Sequence, residues 1–335
     1  DVENSYLVQI TVVRVPIAAR VALSGGRAGI LRVWDLETGN LLQSLIGHHG
    51  AVNCVALDWP SQRALSGSED GSVLRWDLAN GAVTAEFKGH TGAVSCLAAA
   101  WVKGYAVSGG RDSSLRVWDL ETGKCTLKLD GHRGPVTCVT LDEVGATAVS
   151  GSEDRSLLIW DLDTGDIVQE CHGHVSEVHC VSVDRNARNA ASGGWGTLKL
   201  WQLDIRQFGL KYVAAFHDHG GDGFNHADLR GHAGPVTCIS FDWEAHMGLT
   251  GSADTTLCMW SHDARTTSGF RLQPLVLRKH NLPITCLAVD WTTLSAVSGA
   301  GDCLWQWDLN EKRAVRALRG PEERGEVLCV AMDKL

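Results

Sequence analysis

The 335-residue chain has no apolar run approaching the ~20 residues that cross a bilayer as a helix. No charged-then-apolar leader opens it. The two absences lead us to expect a soluble protein with no membrane contact, cytoplasmic, with the nucleus as the alternative. No block of Lys or Arg occurs, and 30 basic residues against 39 acidic ones give a formal net charge of −9. This balance argues against a surface that tracks nucleic-acid phosphates. No CxxC pair exists among the eleven cysteines, so a zinc site on paired thiolates has no support. The chain also opens without Met, at Asp1, and stops at AMDKL in the middle of a repeated unit. We therefore expect a segment of a longer polypeptide.

What the chain does contain is one unit written many times. Gly131–Asp161 reads GHRGPVTCVTLDEVGATAVSGSEDRSLLIWD, and the same pattern runs over Gly89–Asp119 and Gly47–Asp77. The aligned tryptophans Trp34, Trp76, Trp118, Trp160, Trp201, Trp260 and Trp307 are separated by 42, 42, 42, 41, 59 and 47 residues. Periods in the low forties point to a propeller or a solenoid. Each unit divides into four strand-length runs; in the third they are AVSCLAAA, YAVSGG, SLRVWDL and CTLKLDG. No unit carries a ten-residue helical period, which excludes helical solenoids. Four short strands per unit, repeated radially, make a propeller blade.

The Gly-His pair, the Ser-Gly-x-x-Asp turn and the Trp-Asp ending of the third strand resemble the WD-repeat β-propellers over essentially the whole chain. The resemblance implies an all-β fold: one domain over residues 1–335, seven blades of four antiparallel strands, the first strand of each lining a central channel. It also implies closure by pairing of the N- and C-terminal segments. EVLCVAMD at 326–333 fits the first-strand pattern and is expected to complete the N-terminal blade, with residues 10–13 as the competitor.

Seven cysteines, Cys54, Cys96, Cys138, Cys180, Cys238, Cys286 and Cys329, fall at one position of the unit, each two residues after Val or Ile. A thiol repeated once per blade behaves as a small core hydrophobe, and reduced structural cysteines fit a reducing compartment.

His, Ser and Asp recurring at fixed spacing invite a hydrolase reading. The sets, each with its tryptophan, are His48, Ser66, Asp70 and Trp76; His90, Ser108, Asp112 and Trp118; and His132, Ser150, Asp154 and Trp160. Two more follow: His232, Thr250, Asp254 and Trp260; and His280, Ser298, Asp302 and Trp307. His and Asp stand 22 residues apart in all five. A nucleophilic site needs one such set beside an oxyanion hole and an open pocket. Five copies argue instead for a buried brace, and the resemblance implies a chain from Asp through His and Ser to the indole N–H. The chain is thus read as non-catalytic and without a cofactor. The fifth unit lacks the set, having Gly196 for Asp; so does the first, with Ala28 for Asp and Gly320-Pro321 for Gly-His.

Partner-binding residues are sought at the mouth of the propeller, on the residue before each turn Asp and its neighbours: Arg27, Glu69, Arg111, Arg133, Glu153, Arg155 and Trp195. Trp195, an aromatic in the glycine-rich turn SGGWGT, is either an exposed anchor or a lid over its own blade. On the opposite rim, first strands end in Asp58, Asp142, Asp184, Asp242, Asp290 and Asp333, and Trp59, Trp101, Trp243 and Trp291 come one residue later. Asp residues that cap their turns and Trp residues packed under the blades are the plain readings there. The loop 204–228 contains HDHGGDGFNH, whose His217, His219 and His226 match no closed metal motif, so no metal is assigned. The expected function is a monomeric scaffold binding other proteins or peptides. The alternative is a substrate-recognition propeller of an F-box-like ubiquitin-ligase adaptor, which would want converging arginines.

Overall fold

The computed structural model describes residues 20–142, 146–184, 189–203, 226–261, 274–318 and 325–333. Among them every regular element is a strand. They form five four-stranded sheets and one of seven strands, all paired antiparallel and, with one exception, between sequence neighbours. The seven-stranded sheet is two blades sharing one continuous strand, His226–Asp242, whose first half pairs with Trp195–Gln202 and whose second half pairs with Met247–Ser252. The fold is a seven-bladed β-propeller. We number the blades by their tryptophans, blade 1 holding Trp34 and blade 7 holding Trp307.

Blade 1 takes its innermost strand from the far end of the chain. Val327–Met332 pairs with Val21–Gly26, placing Cys329 opposite Gly25. Thr285 of blade 7 donates its hydroxyl to Val327 O (2.6 Å), and Cys329 Sγ donates to Val52 O of blade 2 (3.4 Å). The competing segment, residues 10–13, lies outside the described residues, as do Gly320 and Pro321. The loop expected over 204–228 falls there too, except at its end, where residues 226, 227 and 228 are already strand, opposite Trp201, Leu200 and Lys199 in turn.

A first-strand irregularity recurs and has a use. The ladder skips the residue before Cys54, Cys138, Cys238 and Cys286, namely Asn53, Thr137, Thr237 and Thr285. A bulged residue is free of the ladder and can be re-aimed. These side chains reach the next blade: Asn53 donates to Val94 O (2.9 Å), Thr137 to Val178 O, and Thr237 to Ile284 O (2.6 Å). The cysteines sit beside them and are all buried. At Gly151 an added Cβ would stand 2.7 Å from Cys138 Sγ and 2.6 Å from Val178 Cγ1 of the next blade. Glycine there lets the sheets pack at this distance.

Each third strand buries its tryptophan against the neighbouring blade; Trp76, Trp118, Trp160 and Trp260 are wholly inaccessible. Loss of one such side chain to Ala costs about 3–5 kcal/mol. The blade interfaces are therefore the core of this molecule.

Candidate binding face

The brace is present in full in four blades. In blade 4, Asp154 is an acceptor only, so His132 Nδ1–H donates to it (2.9 Å). That fixes the tautomer: Nε2 accepts from Ser150 Oγ–H (2.8 Å), and Ser150 Oγ accepts from Trp160 Nε1–H (2.8 Å). The same chain joins Asp70, His48, Ser66 and Trp76. It recurs in Asp112, His90, Ser108 and Trp118, and in Asp254, His232, Thr250 and Trp260.

Two partners escaped the sequence reading. The hydroxyl two residues past each Asp (Ser72, Ser114, Ser156, Thr256) donates to the carboxylate at 2.6–2.9 Å. The backbone N–H after each histidine does the same, as from Arg133 to Asp154 (2.9 Å). The signal was available as the Asp-x-Ser/Thr spacing in SEDGS, GRDSS, SEDRS and SADTT.

Electrostatics follow from this arrangement. Burial lowers the proton affinity of His48, His90, His132 and His232, though each carboxylate partly opposes it. Burial would raise Asp154, but the donors Ser156, Arg133 N and His132 outweigh it and hold the carboxyl at about 2. The neutral imidazole and ionised carboxylate resemble a hydrolytic relay, yet Ser66, Ser108, Ser150, Thr250 and Ser298 are completely buried. None of these hydroxyls can meet a substrate.

One predicted set is not a full set. In blade 7, His280 bonds Ser298 (2.6 Å) and Trp307 bonds Ser298 (2.7 Å), but Asp302 is exposed and makes no hydrogen bond to His280. The spacing of 22 residues is preserved while the turn between second and third strands is one residue shorter, so the carboxylate projects into solvent. Without an acidic partner, burial alone pushes His280 down to about 4. Blade 5 retains His174, Ser192 and Trp201 (2.6 and 2.7 Å) with Gly196 at φ +66 in place of the acid. Blade 1 retains the bond from Trp34 to Ser24 (2.8 Å).

The mouth residues are all exposed: Arg27, Glu69, Arg111, Arg133, Glu153, Arg155 and Trp195. Arg27 is engaged by Glu326 at 2.6 Å. Arg133 and Arg155 flank the same Asp154, one through its backbone N–H and one as its chain neighbour. Trp195 opens the third strand of blade 5, opposite Pro235 of blade 6, with its backbone N–H bonded to Ser176 Oγ (2.9 Å). The residue is 63% exposed, so it does not serve as a buried lid. Val175, 81% exposed, follows His174 in the adjoining loop, and Leu282 of blade 7 is 52% exposed. The exposed apolar side chains of the mouth, Trp195, Val175 and Leu282, thus belong to blades 5 and 7, where Glu177 and Asp302 are exposed as well.

On the opposite rim the turn-capping reading fits Asp242 and Asp290, while Asp58 takes a side-chain partner across the strands. Asp242 accepts from the N–H groups of Glu244 and Ala245, Asp290 from Thr292 and Thr293, and Asp58 pairs with Arg63 (2.6 Å). Trp59 is buried, Trp101 lies under the Arg63 guanidinium (5.3 Å), and Trp243 stacks on Phe241 (5.2 Å). Trp291 donates to Ser240 (3.0 Å). Among the described residues no cluster of His, Cys, Asp or Glu could hold a metal ion.

Radial antiparallel sheets, braced in four blades by an Asp–His–Ser/Thr–Trp chain whose hydroxyl is buried, are a propeller architecture with a repeated structural motif. The family model described as WD domain, G-beta repeat, matches residues 39–77, 81–119, 123–161, 165–202 and 224–261. These segments make up more than half the chain, and the chain belongs to that family. Each match begins at or just before the fourth strand of one blade and ends near the third-strand tryptophan of the next, so the sequence repeat straddles two blades. A search of curated proteins found no match. Members of the family serve as protein-interaction scaffolds and are generally non-catalytic.

Proposed function

We propose that this chain is a non-catalytic scaffold that docks a protein or peptide at its mouth, with Trp195 as the anchor. One observation carries the reading: a tryptophan 63% exposed, on a turn whose backbone N–H is held by the Oγ of Ser176, the residue after Val175. Exposed aromatics on rigid supports dominate binding energies where they occur, because little conformational freedom is lost on contact. Eleven free thiols, ten of them buried, are in keeping with a reducing compartment such as the cytoplasm or nucleus. The ubiquitin-ligase reading is the weaker one, because Arg27 is held by Glu326, and Glu69 and Glu153 alternate with the remaining arginines.

Affinity capture with the purified chain tests the proposal. Trp195→Ala should reduce recovery of the principal partner by about tenfold or more, consistent with a hot spot of ~2 kcal/mol, while leaving the melting temperature nearly unchanged. Equal recovery by the variant would remove Trp195 from the site.

A further inference from the structure

Blade 2 carries an open cleft of about 600 Å³ between its Gly-His loop and its outermost strand. Leu74 and Val83 form the apolar floor, with Asp70, Glu86, Lys88 and His49 around them. Leu74 stands directly opposite Glu86 across the third and fourth strands. Glu86 and Lys88 pair at 3.0 Å with side chains 45% and 74% exposed, an arrangement worth little in water and readily exchanged. Asp70 is ionised beside a neutral His48, its carboxyl held low by hydrogen bonds from Ser72, His49 N and His48 against the opposing effect of burial. The cleft therefore keeps one unmatched negative charge.

Blade 3 shows what occupies the same place when the chain fills it. The strand register puts Arg116 where blade 2 has Leu74, and Lys128 where blade 2 has Glu86. The Arg116 guanidinium lies 2.9 Å from the point where a Cβ on Gly89 would stand. Its charge depresses His90, whereas Glu86 acts on His48 in the opposite sense. In blade 4 the isoleucine at the position of Val83, Ile167, reaches within 2.6 Å of the equivalent point on Gly131. Blade 2 has neither the cation nor the longer side chain.

We propose that this cleft receives a guanidinium side chain, an arginine of a partner peptide, with its methylene stem on Leu74 and Val83 and its head at Glu86. Glu86 supplies free lone pairs, while Asp70, whose oxygens are already engaged by four donors, acts through its charge. The site rests on the interaction-scaffold reading for its use, but not on Trp195.

A phage-displayed library of random octapeptides, selected on the full 335-residue chain, tests it, with affinities of the selected peptides measured by fluorescence anisotropy. Arginine should be enriched. The Kd of an arginine peptide should rise about tenfold or more in Glu86→Lys, in Leu74→Arg, and when its arginine is replaced by citrulline. In Trp195→Ala it should change by less than about twofold. Leu74→Arg copies Arg116 and should fold; should it not, Glu86→Lys at its exposed position carries the test. Absence of arginine enrichment, or arginine peptides indifferent to Glu86→Lys, would overturn the proposal. Peptides that lose affinity in Trp195→Ala alone would also overturn it, while supporting the mouth as the binding face.

Discussion

Asp154 and Asp302 hold the same place in the repeat, 22 residues after their histidines, and the structure gives them different work. Asp154 accepts four hydrogen bonds: from His132 Nδ1 and Arg133 N at 2.9 Å, from Ser156 N at 2.9 Å, and from Ser156 Oγ at 2.6 Å. Its imidazole partner has no solvent exposure and the carboxylate itself has 13%. Asp154→Ala leaves a buried imidazole N–H without its acceptor, a penalty of about 1–3 kcal/mol for such a group. The backbone donors are nearer the surface, where water replaces the carboxylate in part, so about 1–3 kcal/mol is the expected total. With an unfolding entropy near 2 cal/mol/K per residue, that is a fall in Tm of roughly 1–4 °C for a chain of this size. Asp302→Ala removes an exposed carboxylate with no bond to His280 and should stay within about 0.5 kcal/mol of the parent. Urea denaturation followed by tryptophan fluorescence separates the two through their midpoints. If Asp302→Ala loses as much stability as Asp154→Ala, the argument that chain spacing alone does not build the brace is wrong.

Two further outcomes follow from burial. His280 is pushed from 6.5 to about 4, so the unfolded chain takes up its proton first and stability falls as pH drops from about 6.5 to about 4. That histidine alone contributes on the order of 3 kcal/mol to the loss, and His48, His90, His132 and His232 shift in the same direction. Asp154, held at about 2 instead of 3.8, adds its own loss below about pH 4. A urea midpoint that stays level between pH 7 and pH 5 would contradict this. For the thiols, burial pushes Cys54, Cys138 and Cys238 up to about 12, and Cys125 is the exposed cysteine. A disulfide reagent should therefore modify one thiol in the folded chain and eleven after denaturation, with the single fast reaction absent in Cys125→Ser. Two or more fast thiols would show that the blade interfaces open.

The fold was legible because its determinants are local and repeated. The tryptophan period counts the blades, and the Val-x-Cys, Ser-Gly and Trp-Asp runs give three of the four strands. The C-terminal strand could be assigned to the N-terminal blade because EVLCVAMD carries its own cysteine and aspartate. The site was less legible where geometry depends on one residue of loop length. Asp302 fits the spacing and misses the histidine: the turn shortened by one residue is visible in the sequence, but the spacing does not say where the carboxylate then points. The cleft in blade 2 was invisible for a related reason. It is defined by what Leu74 lacks relative to Arg116, and such a comparison acquires meaning only when the strand register shows that the two residues occupy the same place.

The brace also explains why recognition can vary without weakening the frame. It uses the histidine, the hydroxyl, the acid, the indole and the Ser or Thr past the acid, and every one of these points inward. At three positions of the unit the side chain is left out of it, the residue after the histidine giving only its backbone N–H. The residue before the acid is Glu69, Arg111, Glu153 and Trp195 in blades 2 to 5; the residue after the histidine is His49, Thr91, Arg133 and Val175; the residue two before the indole is Leu74, Arg116, Leu158 and Lys199. Charge and size change at these places from blade to blade while the hydrogen bonds beneath stay within 2.6–3.1 Å. A surface built on such a frame can be changed one blade at a time, since a substitution at a free position breaks no hydrogen bond of the brace. The exposed Trp195 and the cleft over Leu74 are two results of that freedom, and the proposed anchor and the proposed arginine site each rest on one of them.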